Sequence, residues 1–366
     1  MGARTRGLAN NVLTSGKLDA TDAISGVIPA DNIANASLAS ATTYGSVTGG
    51  IPAVSSDPPS PSEGDIWYNT TTGKIRFRAR GGTWATGNAL NTARDFTSGA
   101  GTATSALCFG GLKPPGSTLM GENESWNGTS WTEVGDLNTA RQDQGGAGAD
   151  NTSAICIGGG TPDKVSANET WNGSSWTEVG DLNTTRRGTE ASAGIVTSAL
   201  CMGGDADPPY VANVESWNGS SWTEVNDLNT ARARGIGSAV NNTAALCIGG
   251  SLPGAATGVT ESWNGSSFSE VADLNTARQR LASSSTSSTD TVVFGGKLAS
   301  EEAATEIWNG TTWTESNDLS TARTELGGSG ATSTAALAFA GQTGSPNVRT
   351  GATEEWTFAV SSFDVG

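Results

Sequence analysis

The sequence predicts an all-β fold, a six-bladed β-propeller that is closed by an N-terminal strand and preceded by an extended N-terminal arm. The chain has 366 residues, and an arginine recurs in it at intervals of 45–47 residues. Each interval also holds an apolar run that ends in two small residues, and two aromatic segments joined by an Asn-Gly turn. Each of these segments contains a tryptophan, except that Phe268 stands at the second position in one unit. A period of about 40–50 residues with four short strand signals is typical of propeller blades. The repeated arginines are Arg94, Arg141, Arg186, Arg232, Arg278 and Arg323.

The composition agrees with this fold class. Glycine accounts for 50 residues and only 15% of the residues are charged, which is typical of a turn-rich β protein rather than a helical one. Twelve tryptophans and eight phenylalanines supply the large apolar side chains that a core requires.

The elements of one unit can be predicted in order. The small residues of QDQGGAGA suit an inner strand, and the apolar run AICIGG, which ends in glycine, indicates a buried second strand. The segments ETW and SSWTEV then form two outer strands around an Asn-Gly turn, which is a strong hairpin signal. The two tryptophans of this hairpin therefore lie near each other across the strands. A segment such as DLNTAR leads to the next inner strand.

The ends of the repeat region predict how the ring closes. Trp84 lies six residues before Leu90, which is also the spacing from Trp131 to Leu137. The segment around Trp84 therefore reads as the fourth strand of a blade, and the last unit needs such a strand. Pairing these two ends removes the free strand edges that invite aggregation. A competing interpretation assigns the missing strand to VSSFDV at Phe363; the longer spacing match favours Trp84.

The order of an arginine, an apolar strand that ends in Gly-Gly, an aromatic strand and a tryptophan strand resembles the kelch repeat. The resemblance covers about Gly82 to Phe358 and implies a kelch-like propeller. The chain departs from many kelch repeats because Trp126 and its equivalents stand where tyrosine is usual.

The repeated tryptophans and charged residues are expected to build the scaffold. A tryptophan at one position of every unit favours packing between blades over stacking on a sugar. This set includes Trp126, Trp131, Trp171, Trp176, Trp217 and Trp222. A repeated glutamate opens the third strand at the end where the repeated arginine opens the first, which predicts an Arg–Glu bridge in or between blades. Arg141 and Glu124 belong to these two sets, and the other glutamates that we assign are Glu169, Glu215, Glu261, Glu306 and Glu355. The alternative is a ring of arginines at a channel mouth that binds an anion.

The loops after the Gly-Gly pairs differ from unit to unit, although the hairpins do not. By strand alternation all six loops share one face, and loops on a rigid scaffold are where binding sites are usually built. Relaxed drift of the loop sequences is the alternative. The loop residues most able to make a polar or stacking contact are Lys113, Lys164, Asp205, Asp207, Tyr210 and Arg349.

Composition also argues against several classes of function. The net charge of −16 argues against binding to nucleic acid or to an anionic membrane surface. The chain has no histidine, which excludes histidine-dependent catalysis and His–zinc sites, and its repeated carboxylates are unlike a unique glycosidase pair. We therefore expect no enzyme activity, no catalytic or metal site and no cofactor. The cysteines lack the spacing of a metal site and are expected to be buried and free; they are Cys108, Cys156, Cys201 and Cys247.

The chain is expected to have three parts: an extended arm for attachment and oligomerisation in residues 1–57, a Pro-rich linker and hairpin in residues 58–80, and the propeller in residues 81–366. The apolar residues of the arm are too isolated to bury a core of their own. No apolar run approaches the ~20 residues of a membrane helix. The N-terminus lacks the apolar region of a signal peptide.

The arm resembles the N-terminal attachment regions of tail-fibre and other virion proteins of bacteriophages, especially marine and cyanobacterial phages. PPSPSEGDIWYNTTTGKIRF, residues 58–77, resembles a short module of phage fibres, and the tryptophan-rich repeats with NTAR are similar to those of phage fibre proteins. The resemblance implies a protein of the phage tail or capsid surface that docks on other virion proteins through its arm. It also implies a homo-oligomer, for which a trimer fits the usual state of fibre shafts, and a propeller that binds a host-surface glycan or protein. A structural or decoration protein without receptor function, or a protein-binding propeller, is the alternative.

Overall fold

The structure is a computed structural model that describes residues 51–58, 65–78, 81–206, 209–284, 286–344, 348–358 and 360–364. Residues 1–50 of the predicted arm and Asp207 of the candidate ligand contacts lie outside the described residues. The chain divides into two compact units: one comprises Gly82–Phe358, and the other comprises the residues before and after it. The described residues form strands, turns and irregular segments without a helix, in agreement with the predicted all-β class.

The described residues of the smaller unit contain four strands: β1 (Ala53–Val54), β2 (Ile66–Asn69), β3 (Lys74–Arg78) and β32 (Val360–Asp364). They form one sheet in the order β1-β2-β3-β32. β2 and β3 form the hairpin that the sequence predicts. The Trp67 side chain is fully buried and donates its indole N–H to Asp57 at 3.0 Å. Because β32 pairs with β3, the strand that contains Phe363 belongs to this sheet, whereas the sequence placed it in the propeller of residues 81–366.

The larger unit contains six four-stranded antiparallel sheets, and the sixth takes its fourth strand, β4 (Thr83–Gly87), from the start of the unit. Sheet one contains β5 (Ser98–Thr102), β6 (Ser105–Phe109), β9 (Asn123–Trp126) and β10 (Trp131–Val134), with a small hairpin of β7 (Leu112–Lys113) and β8 (Thr118–Leu119) in its loop. Sheet two contains β11 (Gly145–Asp150), β12 (Ser153–Ile157), β13 (Asn168–Trp171) and β14 (Trp176–Val179). Sheet three contains β15 (Ser192–Ile195), β16 (Ser198–Met202), β17 (Val214–Trp217) and β18 (Trp222–Val225).

The last three sheets have the same strand order. Sheet four contains β19 (Ile236–Asn241), β20 (Ala244–Leu252), β21 (Ala255–Trp263) and β22 (Phe268–Glu270). Sheet five contains β23 (Ala282–Ser283), β24 (Thr291–Phe294), β25 (Thr305–Trp308) and β26 (Trp313–Glu315). Sheet six contains β27 (Gly327–Thr332), β28 (Ala335–Phe339), β31 (Thr353–Thr357) and β4, with a small hairpin of β29 (Gln342–Thr343) and β30 (Val348–Arg349) in its loop.

The first strands of adjacent sheets lie against each other, which explains their small residues. A Cβ atom on Gly146 would lie 2.5 Å from the carbonyl oxygen of Gly99, and one on Gly237 would lie 2.7 Å from that of Ser192. Only glycine permits so close an approach of two backbones. The second strands are buried almost along their length, and the fourth strands expose their central residues, so the core lies between the sheets.

The strand around Trp84 joins sheet six, as its spacing predicts. β4 pairs with β31 and places Trp84 directly opposite Trp356. The Trp84 ring also meets Phe294 of sheet five at a centroid distance of 4.9 Å. Trp131 of sheet one packs in the same way on Phe339 of sheet six, at 5.0 Å. Sheet six therefore contacts both sheet five and sheet one.

A ring of six backbone hydrogen bonds joins the segments that follow the repeated arginines. The residue two positions after each arginine donates its N–H to the carbonyl oxygen of its counterpart in the preceding sheet, at 2.8–3.3 Å. The first member, Phe96, donates to the last, Glu325, so the series returns to its start. All six residues have a positive φ. The members of this backbone ring are Phe96, Asp143, Gly188, Arg234, Arg280 and Glu325.

Candidate ligand-binding face

The repeated tryptophans are buried within and between sheets. The two rings of one hairpin pack together, with centroids of Trp171 and Trp176 5.6 Å apart. Trp176 also meets Phe109 of the preceding sheet at 5.1 Å. The rings are therefore covered by protein and do not offer a stacking surface. The six that the sequence assigned to the scaffold are at most 6% exposed: Trp126, Trp131, Trp171, Trp176, Trp217 and Trp222.

Six buried ion pairs join a repeated arginine to a glutamate in the third strand of the same sheet, at 2.6–2.8 Å. The pairs are Arg94–Glu124, Arg141–Glu169, Arg186–Glu215, Arg232–Glu261, Arg278–Glu306 and Arg323–Glu354. Arg141 and Glu124 are thus both paired, but with partners of their own sheets. The assignment of Glu355 was wrong, because Glu354 stands two residues before its tryptophan, as in the other units. Neighbouring residues of a strand point to opposite faces, so Glu355 cannot take this place.

Each glutamate of these pairs also holds the connection that enters its sheet. Glu169 accepts hydrogen bonds from the backbone N–H groups of Asn138 and Thr139, at 2.7 and 3.2 Å, besides the bond from Arg141. Arg141 donates further to the carbonyl oxygen of Ala167 at 2.6 Å. These contacts explain why LNTAR and the glutamate recur together. Since the six guanidinium groups are at most 1% exposed, they do not form the anion-binding ring that the sequence left as an alternative.

The four cysteines are buried and free, as the sequence predicts. Burial raises the pKa of the Cys108 thiol to about 11 and that of the Cys156 thiol to about 12. The reactive thiolate form is therefore scarce at neutral pH.

The loops between the second and third strands lie at the same end of the sheets as the segments after the repeated arginines. Backbone bridges such as Arg187–Asp205 and Gln279–Lys297 join them, and this end is named the loop face. Residues 82–358 contain thirteen lysines and arginines, of which six belong to the buried pairs and the other seven lie on the loop face. The seven are Lys113, Lys164, Arg187, Arg234, Arg280, Lys297 and Arg349.

Three of the candidate loop residues lie in ion pairs within or between loops. Lys113 pairs with Glu122 of its own loop. Asp205 binds Lys164 at 3.1 Å and Arg187 at 3.2 Å, which ties the loop of sheet two to that of sheet three. The bonds from Lys164 and Arg187 lower the pKa of Asp205 although burial opposes this. These side chains fix the positions of the loops.

Arg349 is also held by protein contacts. Its guanidinium group pairs with Asp95 at 2.6 Å and donates to the hydroxyl of Ser117 at 3.2 Å. It therefore joins the loop of sheet six to the loop of sheet one.

Tyr210, the remaining described candidate, lines an open depression of ≈ 380 Å³ on the loop face, the Tyr210 depression. The volume is within the ~300–1,000 Å³ of typical small-molecule sites. The Tyr210 hydroxyl accepts hydrogen bonds from Arg234 at 3.2 Å and from Ser251 at 3.3 Å. Arg234 and Arg280 are adjacent members of the backbone ring, so the depression borders the ring. Its other lining side chains include Gln279, Lys297 and Leu298.

Two carboxyl groups interact with the arginines of this depression. Burial raises the pKa of Asp143, and burial together with the charge of Asp143 raises that of Glu190 to about 7. Arg234 and Arg280 oppose both shifts. One carboxyl oxygen of each group is buried without a hydrogen-bond partner. Glu190 also lines a cavity of ≈ 30 Å³ to which the first-strand segments of all six sheets contribute.

Sequence reasoning missed Arg234, Arg280 and Lys297. Sequence differences between units were compared only in the loops after Gly-Gly, whereas Arg234 and Arg280 lie in the segments that follow the repeated arginines. The position that they share, two residues after the repeated arginine, is occupied by phenylalanine, aspartate, glycine, arginine, arginine and glutamate in successive units. Comparing that position between units would have identified both arginines.

Among the described residues, no group of three or more cysteine, aspartate or glutamate side chains is placed to hold a metal ion. The described part of the chain contains no helix long and apolar enough to cross a membrane. Comparisons with models of protein families and with curated proteins find no match to this chain.

Proposed function

We propose that this protein is a bacteriophage virion protein, a tail fibre or similar appendage, whose larger unit binds a host-surface ligand through the loop face. The observation that carries the binding proposal is the contrast between buried repeated side chains and the cations and open depression on one face. The virion assignment rests on the resemblance of the N-terminal part and the NTAR repeats to phage fibre proteins. The protein acts by binding rather than by catalysis, which agrees with a sequence that lacks histidine.

The proposal includes a rigid scaffold: the six sheets are the blades of a closed, six-bladed, kelch-like propeller. The pairing of β4 with β31, the packing of Trp131 on Phe339, and the return of the backbone ring from Glu325 to Phe96 support it. Such closure gives every sheet four strands, leaves only the short fourth strands as edges, and keeps the loops in fixed positions.

Hydrogen exchange tests the closure. Trp84→Ala removes contacts with Trp356 and Phe294, and in a closed ring it speeds amide exchange in sheets five, six and one together. Thr86→Ala, at an exposed position of the same strand, is the control and leaves exchange unchanged. An effect confined to β4 and β31 would contradict closure.

Site-specific blocking tests the loop face as the binding surface. The native cysteines are buried, so a bulky maleimide polymer reacts selectively with Thr118→Cys on the loop face or Thr129→Cys in a hairpin turn at the other end of sheet one. The full-length labelled chain is first tested for binding to marine and cyanobacterial cells. Polymer at Thr118→Cys is expected to abolish the binding, and polymer at Thr129→Cys to preserve it. Equal loss at both positions, or loss only at Thr129→Cys, would contradict the proposal.

The attachment role is tested on particles. Antibodies against the larger unit are expected to label the tail or capsid surface of phages that grow on the cells to which the chain binds. Light scattering of the full-length protein is expected to give an oligomer, with a trimer as the state implied by the fibre resemblance. If antibodies label no particles, the protein is not a virion protein. If light scattering gives a monomer, the predicted homo-oligomer is wrong.

A further inference from the structure

The lining of the Tyr210 depression has a net positive charge. Its charged side chains are those of Arg234, Arg280 and Lys297, and its described lining contains no carboxylate. This concentration of cations occurs in a chain whose net charge is −16. The depression therefore offers an anionic group a local environment opposite in sign to the protein as a whole.

The three cations differ in their carboxylate neighbours. Arg280 pairs with Glu325 and lies over the Phe96 ring at 5.1 Å, and Lys297 lies 3.8 Å from Glu301. Among the described residues, no carboxylate lies within ion-pair distance of Arg234, which donates a hydrogen bond to the Tyr210 hydroxyl. Burial opposes its charge, but the more distant charges of Glu190 and Asp143 raise the pKa of Arg234.

The buried Nε atoms of Arg234 and Arg280 also lack hydrogen-bond partners. Burial raises the pKa of the nearby Glu190 to about 7, so this group is only partly charged at neutral pH. The guanidinium group of Arg234, which makes no ion pair with a described carboxylate, therefore retains capacity for an anionic ligand.

The backbone fixes the positions of these side chains. Arg234 and Arg280 have a φ of 56°, in the positive range that they share with the other members of the backbone ring, and Tyr210 has a φ of 59°. The hydrogen bonds of the ring hold Arg234 and Arg280 side by side at the edge of the depression.

The chemistry of the lining selects the ligand. Guanidinium groups bind carboxylates in a planar, paired geometry, and Lys297 adds a mobile positive charge. Ser251 and Gln279 can bind hydroxyl groups, and Tyr210 supplies an aromatic side chain against which the C–H face of a sugar ring can pack. We propose that the Tyr210 depression binds a carboxylate-bearing sugar unit, of the uronic acid type, in an acidic host-surface glycan; this rests on the loop face being the binding surface.

Titration calorimetry of the full-length protein tests this ligand class. The probes are oligogalacturonate and a glucuronate-containing oligosaccharide, each compared with its carboxyl-reduced counterpart, which keeps the sugar chain and loses the charge. The protein is expected to bind the acidic probes about tenfold or more tightly than the reduced ones, and less tightly as salt is raised.

Two variants assign the binding to the depression. Arg234→Gln and Lys297→Gln are each expected to weaken binding of the acidic probes about tenfold or more, the loss of one charge-assisted contact. Lys74→Gln removes the same charge from β3 of the smaller unit, outside the loop face, and is expected to leave affinity unchanged. The Lys297 side chain is 35% exposed, so its replacement tests binding without disturbing the core, and thermal unfolding verifies this.

The inference is overturned if acidic and reduced probes bind alike, if no acidic probe binds at millimolar concentration, or if Lys297→Gln behaves as Lys74→Gln does. The blocking experiment on cells separates the two proposals. If polymer on Thr118→Cys abolishes cell binding but Arg234→Gln and Lys297→Gln leave it intact, the loop face remains the binding surface and the Tyr210 depression is rejected as the binding site. If no change on the loop face affects cell binding, the proposed function itself is rejected.

Discussion

Arg232 and Arg234 are two residues apart and have opposite surroundings. Arg232 is 1% exposed, pairs with Glu261 at 2.8 Å and donates to the carbonyl oxygen of Cys247. Arg234 borders an open depression and bonds to the Tyr210 hydroxyl. The first arginine recurs in every unit, and the second stands at a position that changes from unit to unit. Repetition in this chain identifies side chains that fix the sheets, whereas non-repeated side chains either tie the loops together, as Asp205 does, or line the open depression, as Arg234 does.

The largest expected effect comes from breaking one of the repeated ion pairs. Glu169→Ala leaves the Arg141 charge buried without its partner and removes the acceptor of the Asn138 and Thr139 N–H groups. Loss of one member of a buried pair costs about 3–5 kcal/mol of unfolding free energy, and unsatisfied N–H groups add to it. Urea unfolding followed by tryptophan fluorescence measures the change.

Glu178→Ala is the matched control for that substitution. Glu178 lies directly opposite Glu169 on the neighbouring strand but faces solvent. Its replacement is expected to change the unfolding free energy by less than about 0.5 kcal/mol. Equal changes in unfolding free energy at the two positions would show that the buried ion pair stabilises the protein no more than an exposed glutamate does.

The next-largest effect is expected from replacing a buried, repeated tryptophan. Trp176→Ala is expected to cost about 3–5 kcal/mol, because the ring fills the space between Trp171 and Phe109 of the preceding sheet. Trp176→Phe should cost less than about 1.5 kcal/mol, since sheet four uses Phe268 at the equivalent position. Scanning calorimetry measures both, and a melt of Trp176→Ala that matches wild type would contradict the packing role.

The acidic residue beside the depression gives a smaller, pH-dependent effect. Because the pKa of Glu190 is raised from 4.5 to about 7, the folded state binds more protons than the unfolded state between these values. Stability at this site therefore falls as pH rises through the window, by at most about 1.4 kcal/mol per pH unit. Glu190→Gln, which cannot ionise, should gain stability relative to wild type from pH 4.5 to 7 and hold the gain above it. If the stability difference between Glu190→Gln and wild type did not change with pH, the pKa of Glu190 would not be raised in the folded protein.

The sequence predicts the parts of the structure that depend on local period and misses those that depend on distant neighbours. The spacing around Trp84 is enough to place β4 beside β31, because the whole unit repeats that spacing. The pairing of β32 with β3 has no counterpart in the repeats, so nothing local indicates it. The Tyr210 depression combines side chains from three loop regions and two first-strand segments that lie far apart in sequence. Tyr210 and Lys297 both lie in loops after Gly-Gly and could be selected from the sequence, although we selected only Tyr210. Arg234 and Arg280 could not be selected in this way, because they lie in the backbone ring rather than in those loops.

The smallest expected effect comes from a loop-face cation away from the depression. Lys113→Gln breaks the ion pair with Glu122, in which the two side chains are 34% and 23% exposed. Water screens such a pair, so the unfolding free energy should fall by no more than about 1 kcal/mol, and less at high salt. Parallel urea titrations of Lys113→Gln and Glu169→Ala compare an exposed and a buried pair in one protein. If Lys113→Gln destabilised the chain as much as Glu169→Ala does, the loop face would be part of the structural frame, and its sequence variation would need an explanation other than ligand binding.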